Sequence, residues 1–141
     1  MASVFVIKGK MDMPMEWYSR EMSCDSEWEF DDVLKDYHIG DVYFKESGDH
    51  VSFEDMSENE FFGWETASWI ALAGDKELIY GYYSEDSGSA EFVHIRNGEC
   101  IRDYRAYDFE VDTDEGASPE FDSWTDVAKY VDEKLLQPPL L

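Results

Sequence analysis

Basic residues are scarce in this chain. Eleven Lys and Arg stand against 34 Asp and Glu in 141 residues, a formal net charge of −23. The imbalance runs the whole length: residues 1–50 carry 12 acids and 5 bases, residues 51–100 carry 11 and 2, and residues 101–141 carry 11 and 4. So little positive charge argues against direct contact with a nucleic-acid backbone, which is made by Lys and Arg. It equally disfavours anionic membrane surfaces. Cys24 and Cys100 are the only thiols, too few for a zinc-ligand pattern and not needed as a staple in a chain of this length. Long apolar runs are missing; WIALAG is far shorter than a membrane span. MASVFVIKGK lacks the apolar h-region of a secretory signal. A cytoplasmic protein with free thiols is expected.

Catalytic signatures are also absent. His38, His50 and His94 are the only histidines, and no H-E-x-x-H, G-x-S-x-G, G-x-x-x-x-G-K-[ST] or G-x-G-x-x-G occurs. VDTDEG resembles part of a calcium loop, but with Gly116 in the sixth position the first is Val111 and the third Thr113. Loose divalent-ion binding by Asp112, Asp114 and Glu115 is a minor alternative. His94, in EFVHIRNG, suggests an acid–base pair with Glu91 or Asp103. One such dyad among this many carboxylates is weak support for catalysis, so no enzyme, cofactor or metal is expected.

What the chain does have is hydrophobic content, 43% with 16% aromatic, enough for a core rather than a disordered acidic tail. With no repeat and no low-complexity linker, residues 1–141 read as one domain. VFVIK predicts a first strand. MDMPMEWYSREMSC predicts a loop or irregular strand. Ser26-x-x-Glu29 has capping-box spacing, and Phe30, Val33, Leu34 and Tyr37 follow at helical intervals, predicting a short helix that stops near Gly40. DVYFKESGDHVSFEDM predicts two strands around a Ser-Gly-Asp turn. Ser57-x-x-Glu60 predicts a second helix carrying Phe62, Trp69, Ile70 and Ala73 and ending at Gly74, with a strand from Trp64 as the competing assignment. Strands follow near 77–84, 90–96 and 99–112, with turns at 86–89 and Asn97-Gly98. A last helix spans about Ser123 to Leu136, and Pro138 limits it. The expected fold is α+β: an antiparallel meander with helices packed on one face, a two-layer sandwich.

Residues 107–115, YDFEVDTDE, carry the clearest functional hint. If they are extended, Tyr107, Phe109 and Val111 face one way, and Asp108, Glu110, Asp112 and Asp114 face the other at roughly 6.5–7 Å intervals. Like charges so placed repel, and no Lys or Arg lies between Arg105 and Lys129. A solvated sheet face accounts for such a row; so does a cationic partner, because carboxylates pair with Arg forks much as phosphates do. Glu85, Asp86 and Glu91, beside Tyr82 and Tyr83, form a second acidic and aromatic element suited to a protein interface. The expected partner-binding residues are therefore Asp108, Glu110, Asp112, Asp114, Glu115, Glu85, Asp86, Glu91, Tyr82 and Tyr83. Arg96, Arg102 and Arg105 are expected to pair with acids inside the sheet.

In size, acidity and aromatic content the chain resembles the small acidic immunity proteins of bacterial polymorphic toxin and contact-dependent inhibition systems. YGYYSEDSGSAEFVHIRNG and the helix in SWTDVAKYVDEKLL carry that resemblance, over about half the chain. It implies a cytosolic inhibitor that binds one cognate toxin, often a basic nuclease, and blocks its cationic cleft. The alternative is a nucleic-acid mimic of the antirestriction or anti-CRISPR type, which occupies DNA-binding sites. A metal- or ligand-binding module, or an enzyme built around His94, is the third class.

Overall fold

The computed structural model describes residues 1–25 and 27–136. Among these, the chain is α+β, with nine strands and three α-helices. The strands are β1 (Ala2–Lys8), β2 (Glu29–Asp31), β3 (Asp36–Ile39), β4 (Val42–Ser47), β5 (His50–Asp55), β6 (Glu77–Ser84), β7 (Ser89–Arg96), β8 (Glu99–Tyr107) and β9 (Glu110–Gly116). The helices are α1 (Pro14–Glu21), α2 (Thr66–Ala73) and α3 (Trp124–Tyr130), the last continuing into a π-helical turn, Val131–Leu135. All strands join one sheet in the order β2-β3-β4-β5-β1-β6-β7-β8-β9, with every neighbouring pair antiparallel. The first strand in sequence lies in the middle and joins two meanders, β2–β5 and β6–β9.

Alternation along β1 explains why the sheet has a core on each side. Phe5 and Ile7 enter one cluster with Phe53, Leu78, Tyr80, Val93 and Ile95, covered by Trp17 and Tyr18 of α1 and by Trp69, Leu72 and Ala73 of α2. Val4 and Val6 enter the other with Ile79, Phe92 and Tyr104, covered by Phe121, Val127, Val131 and Leu135. The helices therefore pack on both faces, and the expected single covered face is corrected. The physical reason is that the central strand is apolar at consecutive positions: Val4, Phe5, Val6 and Ile7 of β1 are all buried. Such strands must bury both surfaces. Gly81 in β6 lets the π-helical turn sit against the sheet, since a Cβ there would lie 2.5 Å from Val131 Cγ2 and 2.7 Å from Leu135 Cδ1.

Two local expectations change as well. Residues 29–39 form the β2–β3 hairpin instead of a helix; Ser26, the proposed cap, lies outside the described residues. Phe30 and Tyr37, seven apart on the expected helix, are cross-strand partners with ring centroids 5.1 Å apart. Asp31 decides the outcome locally. Its Oδ1 accepts the N–H groups of Val33 and Leu34, each at 2.9 Å, which closes a turn and leaves both side chains exposed. Conversely, the expected loop contains α1. Pro14 opens it, where a missing N–H costs nothing, and Pro14, Trp17 and Tyr18 share its buried side. The Ser57–Glu60 spacing caps no helix. Asp55 instead accepts Ser57 Oγ at 2.6 Å and Glu60 N at 2.7 Å and organises a loop, so α2 starts only at Thr66. Gly74 ends that helix as expected, at φ 58°.

Candidate partner-binding surface

Strands β8 and β9 meet in a two-residue turn, Asp108-Phe109, between the paired residues Tyr107 and Glu110. Both turn residues are left-handed, at φ 51° and 64°. This suits the right-handed twist of a hairpin but is costly for a bulky side chain. Two contacts hold Phe109 there. Its N–H donates to the Gly88 carbonyl at 2.9 Å, and its ring lies over Gly88, where a Cβ would come within 2.5 Å of it. Trp124 meets the ring edge-on at 5.7 Å. Phe109 nonetheless stays 58% exposed.

The same contacts set the β8–β9 turn beside the β6–β7 turn, which contains Glu85 and Asp86. Glu85, Asp86, Asp108 and Glu110 are all exposed at this end of the sheet. The chain's amino terminus lies 3.9 Å from Glu85. Phe62, from the loop before α2, adds a second exposed ring at the same end, packed on Tyr82 at 4.8 Å and on Tyr107 at 6.0 Å. This tip thus carries four exposed carboxylates, with Phe109 on its α3 side and Phe62 on its α2 side.

The expected four-acid row does not form. Asp108 occupies the turn. A bulge lies where Arg105 pairs with Thr113 and Ala106 with Val111, leaving Asp112 as the extra residue. Glu110, opposite Tyr107, and Asp114, opposite Tyr104, therefore point to opposite faces. Phe109 and Val111, expected to face the core, are exposed. Asp114 accepts a 2.7 Å bond from Arg102 Nη1, so it is already paired; Arg102 also donates to the carbonyls of Pro119 and Glu115, at 2.8 Å each. Glu115 is exposed opposite Asp103. Tyr82 and Tyr83 are buried on opposite faces, and Tyr83 donates to Asp132 at 2.6 Å.

Glu91 departs furthest from the expected surface position. It is completely buried, on the α2 side. Its carboxylate accepts Tyr80 Oη at 2.8 Å, Gly63 N at 3.1 Å and Arg105 Nη1 at 3.1 Å, together with the Tyr107 hydroxyl. Arg105 also donates through Nε to Asp103 at 2.7 Å and through Nη1 to the Trp64 carbonyl at 3.0 Å, while Thr66 Oγ1 donates to Asp103 at 2.5 Å. Burial works against the Arg105 charge, but Asp103 and Glu91 outweigh it and hold its pKa above the usual value. Burial first, then Glu91, raises the Tyr80 and Tyr107 hydroxyls. Gly63 and Trp64 belong to the β5–α2 connection and Thr66 opens α2, so this network pins that loop, and with it Phe62, to the sheet. Internal pairing of Arg96, Arg102 and Arg105 agrees with the sequence expectation.

His94 does not pair with Glu91 or Asp103. Its Nε2 lies 3.1 Å from Glu77 Oε2, and Arg96 Nε reaches the same oxygen at 3.2 Å. Burial lowers the His94 pKa despite Glu77, while the bonds from His94 and Arg96 and the nearby Lys8 hold Glu77 below its normal value against the effect of burial. The pair is saturated by its neighbours and lies on the α3 side of the sheet. Among the described residues, no group of three or more His, Cys, Asp or Glu is arranged to hold a metal ion, and no helix is long and apolar enough to cross a membrane.

Comparison with known protein families, with curated proteins and with solved structures finds no match to this chain. The tip's chemistry is therefore read from its own residues. Phe109 and Phe62 are the members that sequence patterning missed. No Gly, Pro or Asn stands at Asp108-Phe109 to mark a turn there.

Proposed function

We propose that this protein is an acidic inhibitor of the immunity-protein kind, which binds a basic partner, such as a toxin nuclease, and covers its cationic surface. The observation that carries this reading is Phe109: an aromatic ring held exposed, in a costly backbone conformation, within one acidic turn and against the glycine of another. Strain retained at an exposed position is a common mark of function. A ring inside a rim of carboxylates has the anatomy of a binding hot spot, with an apolar anchor at the centre and charges that steer and orient a cationic partner. The net charge of −23 speeds encounter with such a partner at long range.

The inhibitor reading is favoured over a nucleic-acid mimic by the β9 bulge. A mimic needs an extended run of similarly directed charges, whereas Glu110 and Asp114 point to opposite faces and Asp114 is neutralised by Arg102. The test is capture of partners from lysate of the source cell, washed at low and then high salt. One basic protein retained by the wild type at high salt and lost with Phe109→Ala supports the proposal. Many DNA-binding proteins released together at high salt, with no effect of Phe109→Ala, refute it.

A further inference from the structure

A second site lies on the other half of the sheet, away from the tip, and does not depend on the reading given above. The α3 side of β3, β4 and β5 is only partly covered. There, Asp36, Tyr43, Lys45, Ser52 and Glu54 line a cavity of about 110 Å³, closed at one side by Val4, Leu135 and Leu136. Register explains how these residues meet. Tyr43 pairs with Glu54, Lys45 with Ser52, and Val4 with Glu54, so their side chains share a face. Leu135 and Leu136 come from the π-helical turn and its end, a backbone form often found at functional positions.

Asp36 is the unusual member. Only 7% of it is exposed, yet its Oδ1 has no hydrogen-bond partner among the described residues. Buried acceptors left unpaired are rare and costly. Lys45 is exposed and forms no ion pair among the described residues, so it does not fill this gap. Burial raises the pKa of both Asp36 and Glu54. Lys45 opposes that shift in each, while Asp31 adds to it for Asp36, and Asp36 itself adds to it for Glu54. Asp36, Glu54 and Lys45 therefore line one small cavity, with Asp36 Oδ1 left without a partner among the described residues.

The lining selects the ligand class. An anion meets two carboxylates. A metal ion finds only two acidic ligands and an apolar wall, where calcium takes six to eight oxygens. A cationic head on a hydrocarbon stem fits both halves. We propose that this cleft binds a primary aliphatic ammonium group, its charge on the Asp36 and Glu54 carboxylates and its methylenes against Val4, Leu135 and Leu136. A lysine side chain of a protein and a free diamine both present this chemistry.

The test is an amide-resolved NMR titration of the intact protein at physiological ionic strength with three probes: Nα-acetyl-lysine methylamide, cadaverine, and the ε-acetylated form of the lysine probe. The expected result is saturable shifts confined to Asp36, Tyr43, Ser52, Glu54 and Leu135 with both charged probes, none with the acetylated one, and at least tenfold weaker binding in Glu54→Gln. Asp36→Asn serves as a second variant, and circular dichroism checks that each is folded. Lysine probe binding as tightly as cadaverine assigns the site to a protein side chain; tenfold preference for cadaverine assigns it to a free diamine. Shifts scattered over the acidic surface, or affinity unchanged in both folded variants, overturn the proposal.

Discussion

Phe109 takes the place that a side chain on Gly88 would occupy. Its ring covers the Gly88 Cα, and its N–H donates to the Gly88 carbonyl at 2.9 Å. Two hairpin turns are thereby fastened into one tip. Gly88 is itself left-handed, at φ 62°, so Gly88→Ala adds backbone strain of roughly 1–2 kcal/mol and displaces the ring. Thermal denaturation should show that loss. The Trp124 fluorescence environment should change with it, because Trp124 touches the displaced ring; an unchanged Trp124 signal would mean that Phe109 is not held by this contact.

Arg105 is the only cation bonded to Glu91 and Asp103 among the described residues. Removing it leaves two buried carboxylates uncompensated, so Arg105→Met should cost about 3–5 kcal/mol. Replacing the acid and base together, as Glu91→Gln with Arg105→Met, should cost less than the sum of the single changes. A double-mutant cycle in urea measures that coupling, and additive losses would contradict a shared network.

Asp36 should make the ligand-free protein less stable at neutral pH. Its pKa is raised on folding, chiefly by burial, so the folded state holds the proton more tightly than the unfolded chain does. The resulting deficit is full above the folded-state pKa. It shrinks as pH falls and vanishes below the unfolded value of about 3.9. Asp36→Asn should therefore melt higher than wild type at pH 7, with the difference closing towards pH 4. Equal melting at pH 7 would show that the buried carboxylate carries no penalty.

The exposed acids of β9 sit on an open sheet edge. β9 is an edge strand of seven residues, flanked in the sheet only by β8. Charge on an open edge deters pairing with another chain. Neutralising Glu110, Asp112 and Glu115 together as threonines, while keeping the Asp114–Arg102 pair, should preserve the fold yet promote concentration-dependent association. Light scattering against concentration measures this. Monodispersity equal to wild type would leave edge protection without a role.

Legibility in the sequence followed the locality of the determining interaction. The β6–β7–β8 meander was readable because turn residues and β-branched runs act over a few positions. The second covered face was also implicit in β7, whose run AEFVHI breaks the polar alternation of a half-exposed strand. The β2–β3 hairpin was not readable, because Phe30, Val33, Leu34 and Tyr37 match helical spacing and only Asp31's turn bonds decide otherwise. Glu85, Asp86, Asp108 and Glu110, named from charge alone, lie exposed at the end of the sheet. Glu91 was misplaced because its partners Tyr80, Gly63 and Arg105 come from three separate segments. The alternating row failed for two reasons: Asp108 falls in the β8–β9 turn, and the bulge at Asp112 resets the register. Period-two patterning carries no sign of either.

The most direct test of the inhibitor account is the affinity of the captured basic partner for a tip variant, Asp86→Lys with Asp108→Lys and Phe109→Ala, by calorimetry at physiological salt. Both acids are exposed, so the fold should persist, as circular dichroism would show. The account predicts at least a hundredfold loss of affinity, with a smaller loss when the same number of acids is neutralised on β9. Equal losses from both variants, or none from the tip, would contradict it and leave the acidic surface as a general polyanion.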